Sequence, residues 1–366
     1  MPAFNTLHLL LPFSLPARAM MDAPVTHGQW PAFSAFIARA RQVEHVRELA
    51  FARALPHQRW LARYFGALKD QRRDAAPLAP YMQLADCIEA GMPAPQAMEN
   101  MDGAVWGCIE PVHVRIAHDH LVLTEPAQLA LSAHEAAQLL NAARPVAAAL
   151  GIALVAPTPL RWYVRDPLLT TLNCASPQAA AGRNIEIWLP ARSDTGGRSL
   201  AWMKLQNEVQ MAWFEHPVNR ARETRGAPPV NSIWLHGCGG LQSVERSFSH
   251  LYSHQIATRG LGFAARAEVK PLPESFDVLS TQRATIFAEL DTLTPAFTAR
   301  DWPAWRAALA DLERRWFAPA CAALHGGALR RLTLTLSGEA SALTLTATRA
   351  DLYKFWRRTL FGSLLA

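Results

Sequence analysis

The chain has 366 residues and a formal net charge of +6, from 36 Lys and Arg against 30 Asp and Glu. Half of its residues are hydrophobic and 12 are Trp, which supplies enough apolar surface for a packed core and excludes an intrinsically disordered chain. The length exceeds what one hydrophobic core usually supports. We therefore expect two lobes, or one α/β domain with a large insertion.

Charge pattern and cysteine usage narrow the class of protein further. Basic residues are scattered along predicted helices and form no dense tract, which argues against nucleic-acid binding. No apolar run approaches the ~20 residues that a membrane helix needs, so we expect no membrane association. Five cysteines without a CxxC motif argue against a disulfide framework or zinc knuckle and fit a reducing compartment. We expect a cytoplasmic protein, and the oligomeric state stays open.

The first hundred residues predict a strand followed by two helices. We interpret the apolar run over residues 7–13 as a buried strand, not a signal-peptide core, because no Lys or Arg precedes it. Apolar residues at helical spacing predict helices over residues 31–53 and 58–68. Polar, proline-containing connections follow and place a domain boundary near residue 100.

The middle of the chain alternates short strands with helices. A hairpin is predicted from residues 112–116 and 121–123, and Ser132 with Glu135 has the spacing of a helix capping box. Further elements are predicted in order along the chain: strands over 152–155, 160–164 and 185–189, a helix over 202–214, and a strand over 232–236.

The C-terminal part predicts a long amphipathic helix and a hairpin. The helix starts at Asp301 and ends near Gly326 and Gly327. The hairpin pairs residues 332–336 with 343–347, and a last helix is predicted through residues 355–356. His250 and His254 are spaced as on one helix face, but no carboxylate accompanies them, so a polar helix surface is preferred to a metal site.

These elements predict an α/β fold with a central, mostly parallel sheet flanked by helices and an inserted α+β lobe. We assign residues 1–100 and 241–366 to the two parts of the α/β domain and residues 101–240 to the lobe.

The segment over residues 207–240 is the most informative for function. It predicts a helix broken before Pro217, an arginine-bearing loop, a buried strand, and a glycine-rich turn at the carboxyl end of that strand, where α/β proteins place ligands. Arg220 and Arg222 offer fork donors to an anion, and the backbone N–H groups of Gly237 and Gly239 could approach it.

Two of these assignments have plainer alternatives. Arg161, Arg220 and Arg222 either form an anion clamp or pair with glutamates on adjacent helical turns, and the sequence does not decide between these. Cys238 would be a nucleophile if His236 or a helix N-terminus lowered its pKa, but a small residue filling a tight turn is preferred.

The string from His216 through Asn219 to Arg222, followed by Asn231, Trp234, Gly237 and Gly239, resembles the His-Pro-Val-Asn-x-x-Arg and Asn-x-(Ile/Leu)-Trp-x-x-Gly-x-Gly pattern of archaeal-type, cofactor-independent phosphoglycerate mutases. The likeness covers residues 105–240. These mutases belong to the alkaline phosphatase superfamily, so the resemblance implies a relation to that superfamily. Together with the anion donors described above, it predicts a ligand site built from these residues: Arg161, His216, Asn219, Arg220, Arg222, Asn231, Gly237, Cys238 and Gly239.

The departures from this family concern its two metal ions. Members hold them with an Asp-Gly-x-x-Asp after the first strand and a late Asp-His segment. Here Ser14 follows the first strand, the next carboxylate is Asp22, and residues 241–366 contain no Asp-His pair. We therefore expect no metal, no cofactor and no mutase activity.

The whole-chain pattern, including the Leu-His-Leu-Leu-Leu-Pro-Phe string at residues 7–13 and the Asp-Leu-Tyr-Lys-Phe-Trp-Arg-Arg string at residues 351–358, also resembles the RpfE-type regulatory proteins of proteobacteria. This resemblance implies a regulatory association without a mechanism. The preferred hypothesis is a catalytically silent, mutase-like protein that binds a small phosphorylated or carboxylated ligand, or a regulatory protein partner. The alternative is an active phosphoglycerate mutase, or another phosphate-ester phosphotransferase, with a rebuilt site. Two or more Asp, Glu or His within metal-ligand reach of Cys238 would favour the enzyme.

Overall fold

The computed structural model describes residues 6–17, 19, 30–49, 51–69, 74–192, 199–244, 248–279, 284–354, 356–357 and 361–364. The chain divides into two compact units. The split unit comprises Met1–Ala50 and Glu245–Ala366, and the middle unit comprises Phe51–Val244. The division expected at residues 100 and 240 stays a prediction.

The N-terminal part of the split unit contains a buried strand, a helix and an edge strand: β1 (Thr6–Leu11), α1 (Pro31–Arg39) and β2 (Arg41–Arg47). The first strand is confirmed. The helix predicted over residues 31–53 is wrong beyond Arg39, because the following residues pair antiparallel with a distant C-terminal strand. That pairing outweighs the helical spacing of their apolar side chains.

The middle unit alternates helices with short strands. Its elements are, in order, α2 (Pro56–Tyr64), α3 (Ala79–Glu89), α4 (Ala94–Glu99), β3 (Val105–Val112), β4 (Val114–Ala117), β5 (His120–Leu123), α5 (Ala133–Ala149), β6 (Leu154–Thr158), β7 (Arg161–Arg165), β8 (Leu172–Asn173), α6 (Pro177–Ala180), β9 (Ala191–Arg192), α7 (Leu200–Phe214), α8 (Pro217–Thr224) and β10 (Ser232–Gly240).

Local signals in the middle unit are mostly confirmed. The predicted hairpin is β4 and β5, and Ser132 caps α5 in a reciprocal capping box with Glu135. The strand predicted over residues 185–189 is wrong. Ile185–Ile187 is a 3₁₀ turn, and the Asn184 side chain caps it by accepting from the Glu186 N–H.

The C-terminal part completes the split unit. Its elements are β11 (His250–Tyr252), α9 (Ile256–Ala264), β12 (Glu268–Lys270), β13 (Thr285–Glu289), α10 (Thr294–Thr298), α11 (Trp302–Leu312), α12 (Ala318–Gly326), β14 (Arg331–Ser337), β15 (Ser341–Thr348) and α13 (Arg349–Leu352).

The predicted long helix is confirmed as α11 and α12, joined by a π-helical turn over Glu313–Phe317. Asp301 caps its start and Gly327, at φ +82°, ends it. The C-terminal hairpin is confirmed as β14 and β15. The helix predicted through residues 355–356 is not observed at Trp356, which lies beyond α13, and residue 355 lies outside the described residues.

The split unit is built on a seven-stranded sheet with the order β12-β11-β13-β1-β14-β15-β2. Strands β12, β11, β13, β1 and β14 run parallel, and β15 is antiparallel to both of its neighbours. The predicted α/β class, with a mostly parallel central sheet flanked by helices, is confirmed.

The middle unit is built on an antiparallel sheet with the order β10-β3-β7-β6. One face packs against α5 and α7 in an apolar core that includes Ile109, Trp162, Leu235 and Trp213. Side chains alternate between the two faces of a strand. The residues next to these core residues on β3 and β10 therefore point to the other face of the sheet, which packs against α3. None of the described helices is both long and apolar enough to cross a membrane.

Candidate functional site

His216 and Asn219, two residues of the predicted ligand site, fix the chain between α7 and β10. The stretch predicted as an arginine-bearing loop is instead helix α8, and His216 caps it by accepting from the Val218 N–H at 3.2 Å. The buried Asn219 amide donates to the carbonyls of Trp213 and Val230 and accepts from the Val230 N–H. These contacts join the end of α7 to the start of β10.

Arg222 is fully occupied inside the middle unit. Its side chain is 1% exposed, and it donates to the carbonyls of Leu129 and Pro228 at 2.5 and 2.8 Å and to the Glu135 carboxylate at 3.2 Å. Burial alone would raise the pKa of Glu135, but hydrogen bonds from Ser132 and Arg225 and the charge of Arg222 outweigh it and lower that pKa to about 2. The buried guanidinium therefore holds α5 against α8.

Arg220, two residues earlier, lies in different surroundings. Its side chain is 67% exposed, and its guanidinium is 3.4 Å from the Glu215 carboxylate. Pairing with a neighbouring glutamate, the plainer alternative, is what is observed for this residue. Arg220 and Arg222 are therefore not brought together as a clamp.

Asn231 makes two hydrogen bonds to the backbone of Val114. Its side chain accepts from the Val114 N–H and donates to the Val114 carbonyl, both at 2.8 Å.

The glycine-rich turn is instead the last part of β10, with a bulge between His236 and Gly239. Gly237 has a φ of +67°, and a side chain there would come within 2.8 Å of the Ala79 backbone nitrogen. A side chain at Gly239 would meet Pro77 at 2.4 Å. Both glycines allow the start of α3 to approach the strand closely.

Cys238 packs in the apolar core of the middle unit. Its side chain is buried, and its Sγ lies 3.6 Å from the Sγ of Cys174. No described Asp, Glu or His forms a metal-ligand group with Cys238. The preferred assignment, a small buried residue, agrees with these surroundings.

Arg161 belongs to a different cluster on the opposite face of the same sheet. Its guanidinium forms a two-pronged ion pair with Asp86 of α3, at 2.6 and 2.9 Å. The Tyr163 hydroxyl donates to the same carboxylate at 2.5 Å. Burial would lower the pKa of Arg161, but the bonds to Asp86 outweigh it and raise that pKa, while burial raises the pKa of Tyr163 well above its usual value.

Three potential metal ligands lie on this face beside the ion pair. Cys108 and Glu110 are two residues apart on β3, and His236 lies directly opposite Cys108 on β10. One ligand atom from each residue lies within 4.8 Å of the others, and the His236 Nε2 is 3.2 Å from Glu110 Oε1. We call these residues the polar face: Asp86, Cys108, Glu110, Arg161, Tyr163 and His236.

Electrostatics on the polar face favour an ionised Glu110 beside a neutral thiol. Burial would raise the pKa of Glu110, but the hydrogen bond and charge of His236 and the charge of Arg161 outweigh it and lower that pKa. Burial, followed by the charge of Glu110, raises the pKa of Cys108 well above its usual value. Sequence reasoning placed only Arg161 of this cluster in the ligand site, and considered His236 only as a neighbour of Cys238. The available signal was polar residues two apart in otherwise buried strands, Cys108 with Glu110 and Arg161 with Tyr163.

The carboxyl edge of the parallel sheet in the split unit is where ligands usually bind in such folds. After β1, the Ser14 hydroxyl donates to the Leu11 carbonyl and accepts from the Ser337 N–H. At the end of β13, Glu289 is 2% exposed and accepts a 2.7 Å hydrogen bond from Ser253. Burial raises the pKa of Glu289 to about 7.

The described donors at this edge do not form a site for the two metal ions that the mutase resemblance implies. Among the described residues, three potential metal ligands come together on the polar face. The described residues of the carboxyl edge include no such group of three. Asp22, the first carboxylate after β1, lies outside the described residues.

The two histidines predicted on one helix face are also placed differently: His250 lies on β11, where it pairs with Glu268 at 3.0 Å, and His254 lies in the loop after it.

Glu289→Gln should remove a pH-dependent instability of the split unit. The pKa of Glu289 is raised from 4.5 to about 7 in the folded chain. The contribution of Glu289 to the unfolding free energy is therefore fully present below pH 4.5 and is lost as the pH rises through 7, which lowers the stability of the wild type by about 3 kcal/mol. The unfolding free energy of Glu289→Gln relative to wild type should therefore increase by about that amount between pH 4.5 and 8 in urea titrations. Glu274→Gln, at an exposed position, is the control. A constant difference for Glu289→Gln would contradict the prediction.

Comparisons with known proteins agree in part with the resemblance. No protein-family model matches the chain. A 2,3-bisphosphoglycerate-independent phosphoglycerate mutase of Methanothrix thermoacetophila is 30% identical over 118 residues, which cover 30% of this chain and 29% of that protein. The match therefore spans less than a third of the relative's length.

Two solved structures align over most of the chain with low similarity. The cofactor-independent phosphoglycerate mutase from Thermoplasma acidophilum gives a TM-score of 0.45 at 13% identity, covering 98% of this chain and 94% of that one. The PH0037 protein from Pyrococcus horikoshii gives 0.47 at 10% identity, covering 94% and 88%. The sequence match thus relates a segment of this chain to the 2,3-bisphosphoglycerate-independent phosphoglycerate mutases.

Proposed function

We propose that this chain is a phosphoglycerate-mutase-like regulatory protein that acts by binding and does not transfer phosphoryl groups. The observation that supports it is the carboxyl edge of the parallel sheet. There, the Ser14 hydroxyl donates one hydrogen bond to a backbone carbonyl and accepts another from a backbone N–H. The buried Glu289 accepts a hydrogen bond from Ser253. Phosphoryl transfer by two metal ions needs several carboxylate or imidazole ligands at a short separation, and the described residues of this edge do not supply them.

The proposed ligand is a small phosphorylated or carboxylated metabolite. The alternative is that the chain binds a regulatory protein partner. Of the two motif arginines, Arg222 is consumed by contacts within the protein, whereas Arg220 presents its guanidinium to solvent from α8. A guanidinium fork suits a carboxylate or phosphate. Arg220 is therefore the residue through which a metabolite would be held.

A thermal-shift screen tests the binding role with 2- and 3-phosphoglycerate, each with and without Mg²⁺ or Mn²⁺. A ligand that binds only the folded chain stabilises it by about 2.7 kcal/mol at a concentration of about 100 times its Kd. We expect a rise in Tm with the metabolite alone, and its loss in Arg220→Ala. No rise with any metabolite would favour a protein partner. A rise that requires Mg²⁺ or Mn²⁺ would contradict the proposal and favour the active enzyme.

A further inference from the structure

We propose that Cys108, Glu110 and His236 bind one thiophilic divalent cation, of which zinc is the natural example, on the polar face of the middle unit. This site is independent of the proposed function. It uses none of the ligands that the mutase resemblance implies, and it belongs to the antiparallel sheet and not to the parallel one.

The register of the sheet sets the geometry of the three ligands. Cys108 and His236 are directly opposed on neighbouring strands, and Glu110 is two residues further along the same face. In a tetrahedral zinc site with bonds of 2.0 to 2.3 Å, ligand atoms lie roughly 3.3 to 3.8 Å apart. The His236 Nε2 and Glu110 Oε1 are already 3.2 Å apart, and all three ligand atoms lie within 4.8 Å of one another.

The charge of the cluster also suits a divalent cation. Arg161 and Asp86 neutralise each other in their two-pronged ion pair. With the metal bound, the Glu110 carboxylate and a Cys108 thiolate would balance its two positive charges.

The ligand types select the metal. A thiolate, an imidazole and a carboxylate suit zinc or cobalt, whereas Mg²⁺ and Mn²⁺ prefer oxygen ligands alone. Binding replaces the thiol proton of Cys108, which leaves to solvent, with a sulfur–metal bond. Of the three ligands, Glu110 is the most exposed, at 18%. Three protein ligands leave the fourth position of the metal for water or an exogenous ligand.

Titration of chelator-treated, full-length protein with Co²⁺ tests this site. We expect binding of one equivalent and a thiolate-to-cobalt charge-transfer band in the near ultraviolet. Cys108→Ser should abolish the band, and His236→Gln and Glu110→Gln should weaken binding by more than about 100-fold, beyond the loss typical of residues outside the ligand set. Zinc should raise the Tm of the wild type and not that of Cys108→Ser.

Cys238→Ser is the matched control, because Cys238 is a buried cysteine two residues from His236 that packs in the apolar core. It should keep the band and the affinity. If Cys108→Ser does not fold, as judged by circular dichroism, Glu110→Gln at its partly exposed position provides the test. Cobalt bound without a thiolate band, equal affinity in wild type and Glu110→Gln, or no binding would each overturn the proposal.

Discussion

Replacing Arg222 by alanine should destabilise the middle unit by about 3–5 kcal/mol, the usual cost of breaking a buried ion pair from one side. The change leaves the carbonyls of Leu129 and Pro228 without their donor and removes one cation from the Glu135 carboxylate. Urea unfolding, followed by tryptophan fluorescence, measures the loss.

Arg220→Ala is the matched control for this prediction. Arg220 lies on the same helix but is mostly in solvent, with a long contact to Glu215, so its removal should cost less than about 0.5 kcal/mol. Similar losses for the two variants would show that Arg222 does not have the structural role inferred from its contacts.

Replacing Asp86 by alanine should have an effect of the same size. Asp86 is buried and accepts from both Arg161 and the Tyr163 hydroxyl. Its removal leaves a largely buried guanidinium and a buried hydroxyl without their acceptor, at a cost of about 3–5 kcal/mol. The unfolding midpoint in urea should fall accordingly.

Asp119→Ala in the β4–β5 turn is the control, since Asp119 pairs with His120 in the same unit but is 93% exposed. We expect a change of less than about 0.5 kcal/mol. Tyr163→Phe should cost about 1 kcal/mol, because only one hydrogen bond is lost. An Asp86→Ala variant as stable as Asp119→Ala would contradict the importance of the ion pair.

Local signals in the sequence predicted the elements whose causes are local. The capping box at Ser132, the hairpin at β4 and β5, and the cap at Asp301 each depend on residues within a few positions of one another. The edge strand β2 could not be predicted this way. Its apolar residues have helical spacing, but its hydrogen bonds go to β15, about 300 positions further along the chain.

The candidate site divides in the same way. The motif from His216 to Arg222 was recognisable because it is contiguous, and its contacts cap α8 and join α7, α5 and β10. A motif with such contacts has a structural role and does not by itself imply a shared activity. The spacing of Cys108 with Glu110, and of Arg161 with Tyr163, indicates that each pair shares one face of its strand. The cluster itself could not be predicted, because its strands and Asp86 come from separate segments that only the sheet register and α3 bring together.

Incubation of the purified chain with 3-phosphoglycerate and Mg²⁺ or Mn²⁺, with enolase to detect 2-phosphoglycerate, tests most directly the proposal that this protein does not transfer phosphoryl groups. We predict no rate above that of the metal-containing buffer. A metal-dependent rate proportional to the amount of protein would contradict the proposal and establish an active enzyme with a rebuilt site.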